Sequence, residues 1–336
     1  MREVNVAIAG ATGLVGREFI RVLEERRFPL ASIRLLASER SEGKIMRVNG
    51  CDLKVERLTE DSFKGIDIAL FSTGSSVSRR FSPIAAQCGV VVDNSKAFRM
   101  DDTVPLVVPE VNAGDVRNHR GIIAVPNCST IQLVVALNPI HRVNPIKRVI
   151  VDTYQAVSGA GGKGVRELEQ QIEAILAGKN PESGTFPHQI AFNVLPEVDT
   201  LLDNGYYNEE WKLIQETRKI MHAPELAISA TAVRVPVYVG HSEAVHMELT
   251  HPMSPQEVRE VLSRAPGVKV VDDPSNSAYP LALDAAGTDD VYVGRIRKDA
   301  SHPRGIAMWV VADNVRKGAA LNAVQIAELL VCDHKD

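Results

Sequence analysis

"NVAIAGATGLVGREFIRVLEERR", residues 5–27, joins a short apolar run to three glycines and then to a helical repeat. Val4 to Ala9 has the length and apolarity of a buried strand. Gly10, Gly13 and Gly16 follow at GxxGxxG spacing, and Val15, Phe19, Val22 and Leu23 share one face of the predicted helix. A strand, a glycine turn and a helix in that order let backbone pass close to a pyrophosphate, which the positive helix N-terminus attracts. The same glycines would also suit a tight turn that binds nothing, because this spacing differs from the commoner GxGxxG. The strand–turn–helix context favours a dinucleotide.

The units that follow extend this reading. In "SIRLLASERSEGK" (32–44) the second strand ends where an acidic residue would hold the ribose 2′-hydroxyl of NAD. Ser38, Arg40 and Ser41 offer hydroxyls and a cation there, which suit a 2′-phosphate, so NADP is favoured over NAD. Glu39 is a contrary charge. Segments 66–79 and 89–100 each read as a strand leading into a loop, placing Ser72-Thr73-Gly74 and Asn94-Ser95 at strand C-terminal ends. Open α/β sheets bind ligands at that edge.

"AVPNCSTIQLVVAL" (124–137) carries the next strand to the same edge and sets Cys128 after two turn formers, Pro126 and Asn127. Ser129 and Thr130 suit a helix start. A thiol at a helix N-terminus is favoured as thiolate, whereas a lone cysteine is as readily a small buried apolar residue. Delivery to the dinucleotide edge supports the reactive reading.

Composition sets the outer limits. A chain of 336 residues is long for one core, so two domains are expected. The net charge is −4 with no basic stripe, which argues against nucleic acid. No apolar stretch reads as a signal peptide or membrane span. Cys51, Cys88, Cys128 and Cys332 form no CxxC pair, and a reducing cytoplasm fits them best. His119, His141, His188, His222, His251, His302 and His334 show no ligand spacing, and His246 reads as an outward strand residue, so no metal is expected.

Beyond "VVALNPIHRVNP" the alternation of strand and helix loosens. "RVIVDTYQAVSGAGGKG" (148–164) is a strand running into a glycine loop, then a helix with Val165, Leu168, Ile172 and Ile175 on one face. Four extended runs cluster between 227 and 313, the pattern of an α+β domain with a mainly antiparallel sheet whose outer face could pair subunits. Arg234 and His241 in "RVPVYVGH" are seven apart, opposite faces of an unbroken strand. Pro236 or Gly240 must interrupt it if both serve one site.

Taken in order, "GATGLVG", "SERSEGK", "NSKAFRMDDTVPLVVPEVN", "VPNCST", "TYQAVSGAGG", "FPHQIAFNVLPEVD", "EEWK", "VRVPVYVGHS" and "DNVRKGAALNAVQIAE" resemble aspartate-semialdehyde dehydrogenases over nearly the whole chain. The resemblance implies an α/β protein with a Rossmann-type NADP-binding domain, 1–127, completed by a C-terminal helix, 315–336. Residues 128–314 would form the α+β catalytic and dimerisation domain. It implies NADP-dependent interconversion of L-4-aspartyl phosphate with L-aspartate 4-semialdehyde plus phosphate, supplying lysine, threonine and methionine synthesis, in a homodimer or homotetramer.

By motif, Cys128 matches the nucleophile, His241 the acid/base and Gln155 the residue that positions the acyl group. Arg234 matches the binder of the α-carboxylate and Glu209 that of the ammonium, with Glu210 one position away. Arg99, Asn127 and Lys212 match the phosphate set, and Ser158 completes the substrate list. Gly10, Thr12, Gly13, Leu14, Val15, Ser38, Arg40, Ser41, Ser72, Gly74, Gly159 and Asn314 fall where the family holds NADP. Glu39 and "STGSSVS" depart from the family pattern. A cysteine suits the chemistry because it is both nucleophile and leaving group, and a histidine of near-neutral pKa would deprotonate it.

Two rivals share these features. N-acetyl-γ-glutamyl-phosphate reductase has the same chemistry, but its acylated amine has no use for an anion such as Glu209. A catalytically silent cofactor-binding paralogue would have no need of Cys128, Gln155, Arg234 and His241 together.

Overall fold

The computed structural model describes residues 2–332. His334 and the end of the expected C-terminal helix, 333–336, lie outside them. The described residues divide between two compact units, one within Met1–Asn127 and Ala319–Asp336, the other Cys128–Gly318.

In the first unit β1 (Val4–Ala9) is central. It pairs in parallel with β2 (Leu30–Ala37) on one side and β6 (Ile68–Phe71) on the other. An Asn49-Gly50 turn, both residues at positive φ, closes the small hairpin of β3 (Ile45–Val48) and β4 (Cys51–Lys54). With β5 (Glu56–Arg57), β7 (Val90–Asp93) and β8 (Ile122–Ala124) the sheet runs β5-β2-β1-β6-β7-β8, every pairing parallel. Strands buried on both faces read as continuous apolar runs, which is why β1, β6 and β7 were legible.

The helix α1 (Leu14–Glu25) buries Phe19, Ile20, Val22 and Leu23, each worth about 1.5–3 kcal/mol when fully buried. Val15 is half-buried. The helices α2 (Ser75–Ala85) and α3 (Pro109–Asn112) follow β6 and the 94–108 loop.

The second unit starts with α4 (Cys128–Val143), whose first residue is the cysteine and whose next ten residues are all buried. Its sheet runs β10-β9-β11-β14-β13-β12, formed by β9 (Ile146–Gln155), β10 (Ala227–Arg234), β11 (His241–Leu249), β12 (Val268–Val270), β13 (Val291–Lys298) and β14 (Gly305–Ala312). The sheet is mainly antiparallel, as expected. The three inner pairings are antiparallel, but both outer ones, β10 with β9 and β12 with β13, are parallel, so the sheet is mixed.

Alternation along β11 sends His241, Glu243, Val245, Met247 and Leu249 inward toward α4, while His246 faces out and bonds Asp299. On the outer face Tyr154 and Trp309 are in ring contact, centroids 5.4 Å apart. The remaining helices are α5 (Gly162–Leu176), α6 (Asn208–Ile220), α7 (Pro255–Ser263) and α8 (Ala282–Ala285).

The chain then returns to the first unit. A π-turn, Arg316–Ala320, leads into α9 (Leu321–Cys332). Asn322 Nδ2 donates to the Val107 carbonyl at 2.9 Å, and Arg26 grips Glu328 with two 2.7 Å bonds.

Candidate active site

The expected cofactor residues of the first unit gather at the C-terminal ends of β1, β2 and β6. Gly10 adopts φ +89°, and a Cβ there would lie 2.3 Å from the Ser72 carbonyl oxygen. The turns after β1 and β6 can therefore meet only through a glycine. Gly16 is equally constrained, with a Cβ 2.2 Å from the Gly10 oxygen. Gly13 caps α1 without a side-chain bond, and no acid sits in the first turn, so the leading N–H groups suit an anion. Leu14 and Val15 form that turn, and Gly74 caps α2 in the same way.

Thr12 Oγ1 reaches Ser41 Oγ at 3.3 Å, tying the glycine turn to the loop after β2. There Ser38 caps a short 3-10 turn, Glu39–Ser41, and Arg40 is exposed. Glu39 pairs with Arg57 at 3.3 Å, so a neighbouring cation offsets the contrary charge. The donor set and the open glycine turn fit a dinucleotide. Arg99 and Asn127 are both buried in this unit, and Arg99 Nη2 donates to the Asn94 carbonyl at 2.8 Å. A cavity of about 720 Å³ opens at the other end of the sheet, lined by Arg2, Val4, Ile68, Val90, Arg117 and His119, and holds none of the expected residues.

The second unit builds its polar centre in one row of its sheet. Arg234, the last residue of β10, pairs with Gln155, the last of β9. Because Ser242 pairs with Tyr154, His241 falls level with Gln155 on the other side. Residues 235–240 lie between the strands, with Gly240 at φ +98°, and this break lets Arg234 and His241 serve one face.

Against that row stands the start of α4. Cys128 Sγ is 3.3 Å from His241 Nε2. The Ala156 backbone N–H donates to His241 Nδ1 at 3.0 Å, so the neutral ring carries its hydrogen on Nε2, toward the sulfur. His241 is wholly buried, and its pKa is pushed down to about 3, first by burial and then by the Arg234 cation, with Glu209 opposing. This value lies below the near-neutral one expected of the base. The resting imidazole is neutral, and its Nε2 is already a donor.

Arg234 Nη1 donates to the Ala156 carbonyl at 2.8 Å. Burial lowers its pKa, while Glu209 and Cys128 pull the other way. Gln155 Nε2 bonds Ser129 Oγ at 2.6 Å and Glu209 Oε1 at 3.2 Å.

Hydrogen bonding separates the two glutamates. Glu210 accepts from the Tyr207 and Ala232 backbone N–H groups, which leaves Glu209 facing the site. Lys212 bridges Glu209 Oε2 at 2.8 Å and Asp199 Oδ2 at 2.7 Å. Burial would lower the Lys212 pKa, but Glu209 and Asp199 outweigh it and the net shift is upward.

Ser158 and Asn314 bond each other, and Asn314 Oδ1 also accepts from Gly240 N–H at 2.9 Å. A Cβ on Gly159 would lie 2.6 Å from Arg234 Nη1 and 3.2 Å from the His241 ring. Three further contributors escaped sequence reasoning. Ser129 holds Gln155, and Ala156 holds His241 through backbone alone. Gly318 leaves no room for a Cβ, which would lie 2.8 Å from Cys128 Cβ. Only Gly318 carried a signal, as a glycine inside the helical run "VRKGAALN".

No group of three or more metal-ligating side chains occurs among the described residues, and none of their helices is long and apolar enough to cross a membrane.

Residues 5–119 match the family described as semialdehyde dehydrogenase, NAD binding domain, and 137–317 match semialdehyde dehydrogenase, dimerisation domain. An aspartate-semialdehyde dehydrogenase of Aquifex aeolicus is 59% identical over 332 residues, 97% of this chain and 98% of that protein. The crystal structure of aspartate semialdehyde dehydrogenase II of Vibrio cholerae, complexed with ASA, superposes with a TM-score of 0.97. It is 49% identical and covers 99% of this chain and 100% of its own. The NADP-bound aspartate semialdehyde dehydrogenase of Candida albicans gives a TM-score of 0.76 at 25% identity, covering 98% of this chain and 99% of its own.

Proposed function

The chain belongs to the aspartate-semialdehyde dehydrogenase family, and from that premise we propose that Cys128 is its nucleophile and His241 the hydrogen-bond donor that serves it. The enzyme is an oxidoreductase that uses a nicotinamide dinucleotide to interconvert L-4-aspartyl phosphate and L-aspartate 4-semialdehyde. The observation that carries the site assignment is the 3.3 Å approach of Sγ to His241 Nε2 at the start of a helix.

Cys128 attacks the acyl carbon as thiolate. The carbon–sulfur bond forms and the bond to phosphate breaks, phosphate leaving with that bond's electron pair and taking a proton from solvent. When bound, the reduced dinucleotide supplies hydride to the thioester carbon. The resulting oxyanion re-forms its carbonyl by breaking the carbon–sulfur bond, which returns the thiolate. Throughout, His241 lends its Nε2 hydrogen, first to sulfur and then to oxygen of the tetrahedral adducts, as a neutral imidazole can.

Arg234 is assigned the substrate carboxylate and Glu209 the ammonium, with Gln155 between them orienting the acyl group. Ser158 supports that pocket through Asn314. Arg99, Asn127 and Lys212 are assigned the phosphate.

The first unit with α9 is assigned as the NADP-binding domain and Cys128–Asn314 as the catalytic and dimerisation domain. The bare helix start at Gly13, the hydroxyls of Thr12, Ser38 and Ser41, and Arg40 support NADP over NAD. Gly159 and Asn314 are likewise assigned to cofactor binding. The outer sheet face around Tyr154 and Trp309 is assigned to a homodimer, which a tetramer would double. We assign the enzyme to the cytoplasm, whose reducing pool suits four dispersed thiols.

The test is absorbance at the nicotinamide band with semialdehyde, phosphate and either cofactor. Cys128→Ser should abolish turnover while NADP still binds. Turnover at the wild-type rate would remove Cys128 from the mechanism.

A further inference from the structure

One row deeper in the second unit's sheet, the ladder aligns Ala232, Thr153, Glu243 and Val310. The row beyond it, Ala230, Val151, Val245 and Met308, is wholly apolar. Glu243 is therefore a carboxyl group at the border between the catalytic row and the core. It is fully buried, and among the described residues neither of its oxygens meets a donor in hydrogen-bonding geometry. Gln132, one helical turn after Cys128 on α4, donates from Nε2 to the His241 carbonyl at 3.3 Å. Its Oε1 is also buried and lacks a donor.

An ionised carboxylate so placed would be shut off from bulk solvent, with no cation paired to it among the described residues. A neutral acid has a hydrogen to give, and Gln132 Oε1 is an acceptor in need of one. The two side chains adjoin, so a proton on one Glu243 oxygen can serve Gln132 Oε1 and leave the acid uncharged. Burial also raises the Glu243 pKa well above the usual carboxylate range, with the nearby Gln132 amide working against the rise.

We propose that Glu243 is a neutral carboxylic acid behind the Cys128–His241 pair, donating its proton to Gln132 Oε1 and so holding the Gln132 amide on the His241 carbonyl. Glu243 is a positioning residue, and the inference rests on the reading of His241 as part of the catalytic machinery. Its neutrality has a second effect. A carboxylate two residues along the same strand face would draw a proton onto the imidazole, whereas an acid leaves the ring neutral.

Infrared difference spectroscopy of the holoenzyme against Glu243→Gln at neutral pH tests the protonation directly. A carboxylic acid carbonyl band that shifts in D2O is expected in the wild-type spectrum. Carboxylate bands in its place would overturn the proposal. Steady-state kinetics test the positioning. Glu243→Gln keeps a donor for Gln132 and should retain the wild-type kcat and KM.

Glu243→Leu, checked for folding by its melting transition, should lose kcat about tenfold with KM for the semialdehyde unchanged. Equal losses in both variants, or full activity in the leucine variant, would overturn the proposal. The infrared arm needs neither the leucine variant nor any turnover. Its failure would leave the dehydrogenase reading standing, and an active Cys128→Ser would leave the infrared result standing.

Discussion

Ala156 fixes the tautomer of His241. A backbone N–H can only donate, so the 3.0 Å bond to Nδ1 keeps that nitrogen unprotonated and commits the ring's hydrogen to Nε2. An imidazolium would put a second hydrogen against the Ala156 N–H, and the buried Arg234 cation in the same row opposes that charge further.

This arrangement makes stability depend on pH in a definite direction. The folded His241 pKa of about 3 lies below the unfolded value near 6.5. The unfolded chain therefore takes up a proton that the folded ring refuses. The stability contributed by the neutral ring is complete above the unfolded value and declines as pH falls toward the folded one, by up to about 1.4 kcal/mol per unit. His241→Asn removes this dependence. The gap in urea midpoint between wild type and variant should narrow when pH is lowered from roughly 7.5 to roughly 5.5. A gap that stays constant would mean the ring is protonated in the folded state.

Gly159 is predicted to act through the space it leaves open. Its backbone is outside the left-handed region, so alanine is allowed there, but the added Cβ would press on Arg234 Nη1 and the His241 ring. Gly159→Ala should fold with a near-normal melting temperature yet raise KM and lower kcat, each by about tenfold. Unaltered kinetics would show that the guanidinium can yield without cost.

Arg57 should tune cofactor choice indirectly. It neutralises Glu39 beside the loop of Ser38, Arg40 and Ser41. Arg57→Ala leaves the Glu39 carboxylate uncompensated and should weaken NADP more than NAD, by about threefold at low salt and less at high salt. Glu39→Ala should then shift the preference only slightly. Equal dissociation constants for NADP in wild type and Arg57→Ala would place the pair outside the cofactor's field.

Much of this architecture was legible because local chemistry wrote it. The turn at Gly10 needs a glycine, β1 reads as an apolar run broken only by Asn5, and Cys128 sits where a strand gives way to a helix. The break between Arg234 and His241 was also visible, since seven residues of unbroken strand could not bring both to one face.

Other features depend on pairings between distant segments. Nothing near Gln155 announces that β10 and β11 will flank it. The two glutamates of "EEWK" are alike until the Tyr207 and Ala232 amides claim one of them. Ala156 contributes through its backbone N–H, which every residue but proline possesses.

Since Arg234, Gln155 and His241 come from three neighbouring strands at matched ladder positions, inserting or deleting one residue inside β9, β10 or β11 would turn its functional side chain to the opposite surface. Changes of chain length compatible with turnover are thereby confined to the connections, such as the stretch between α5 and α6. Variation there, away from Leu195 and Asp199, leaves the strand register intact.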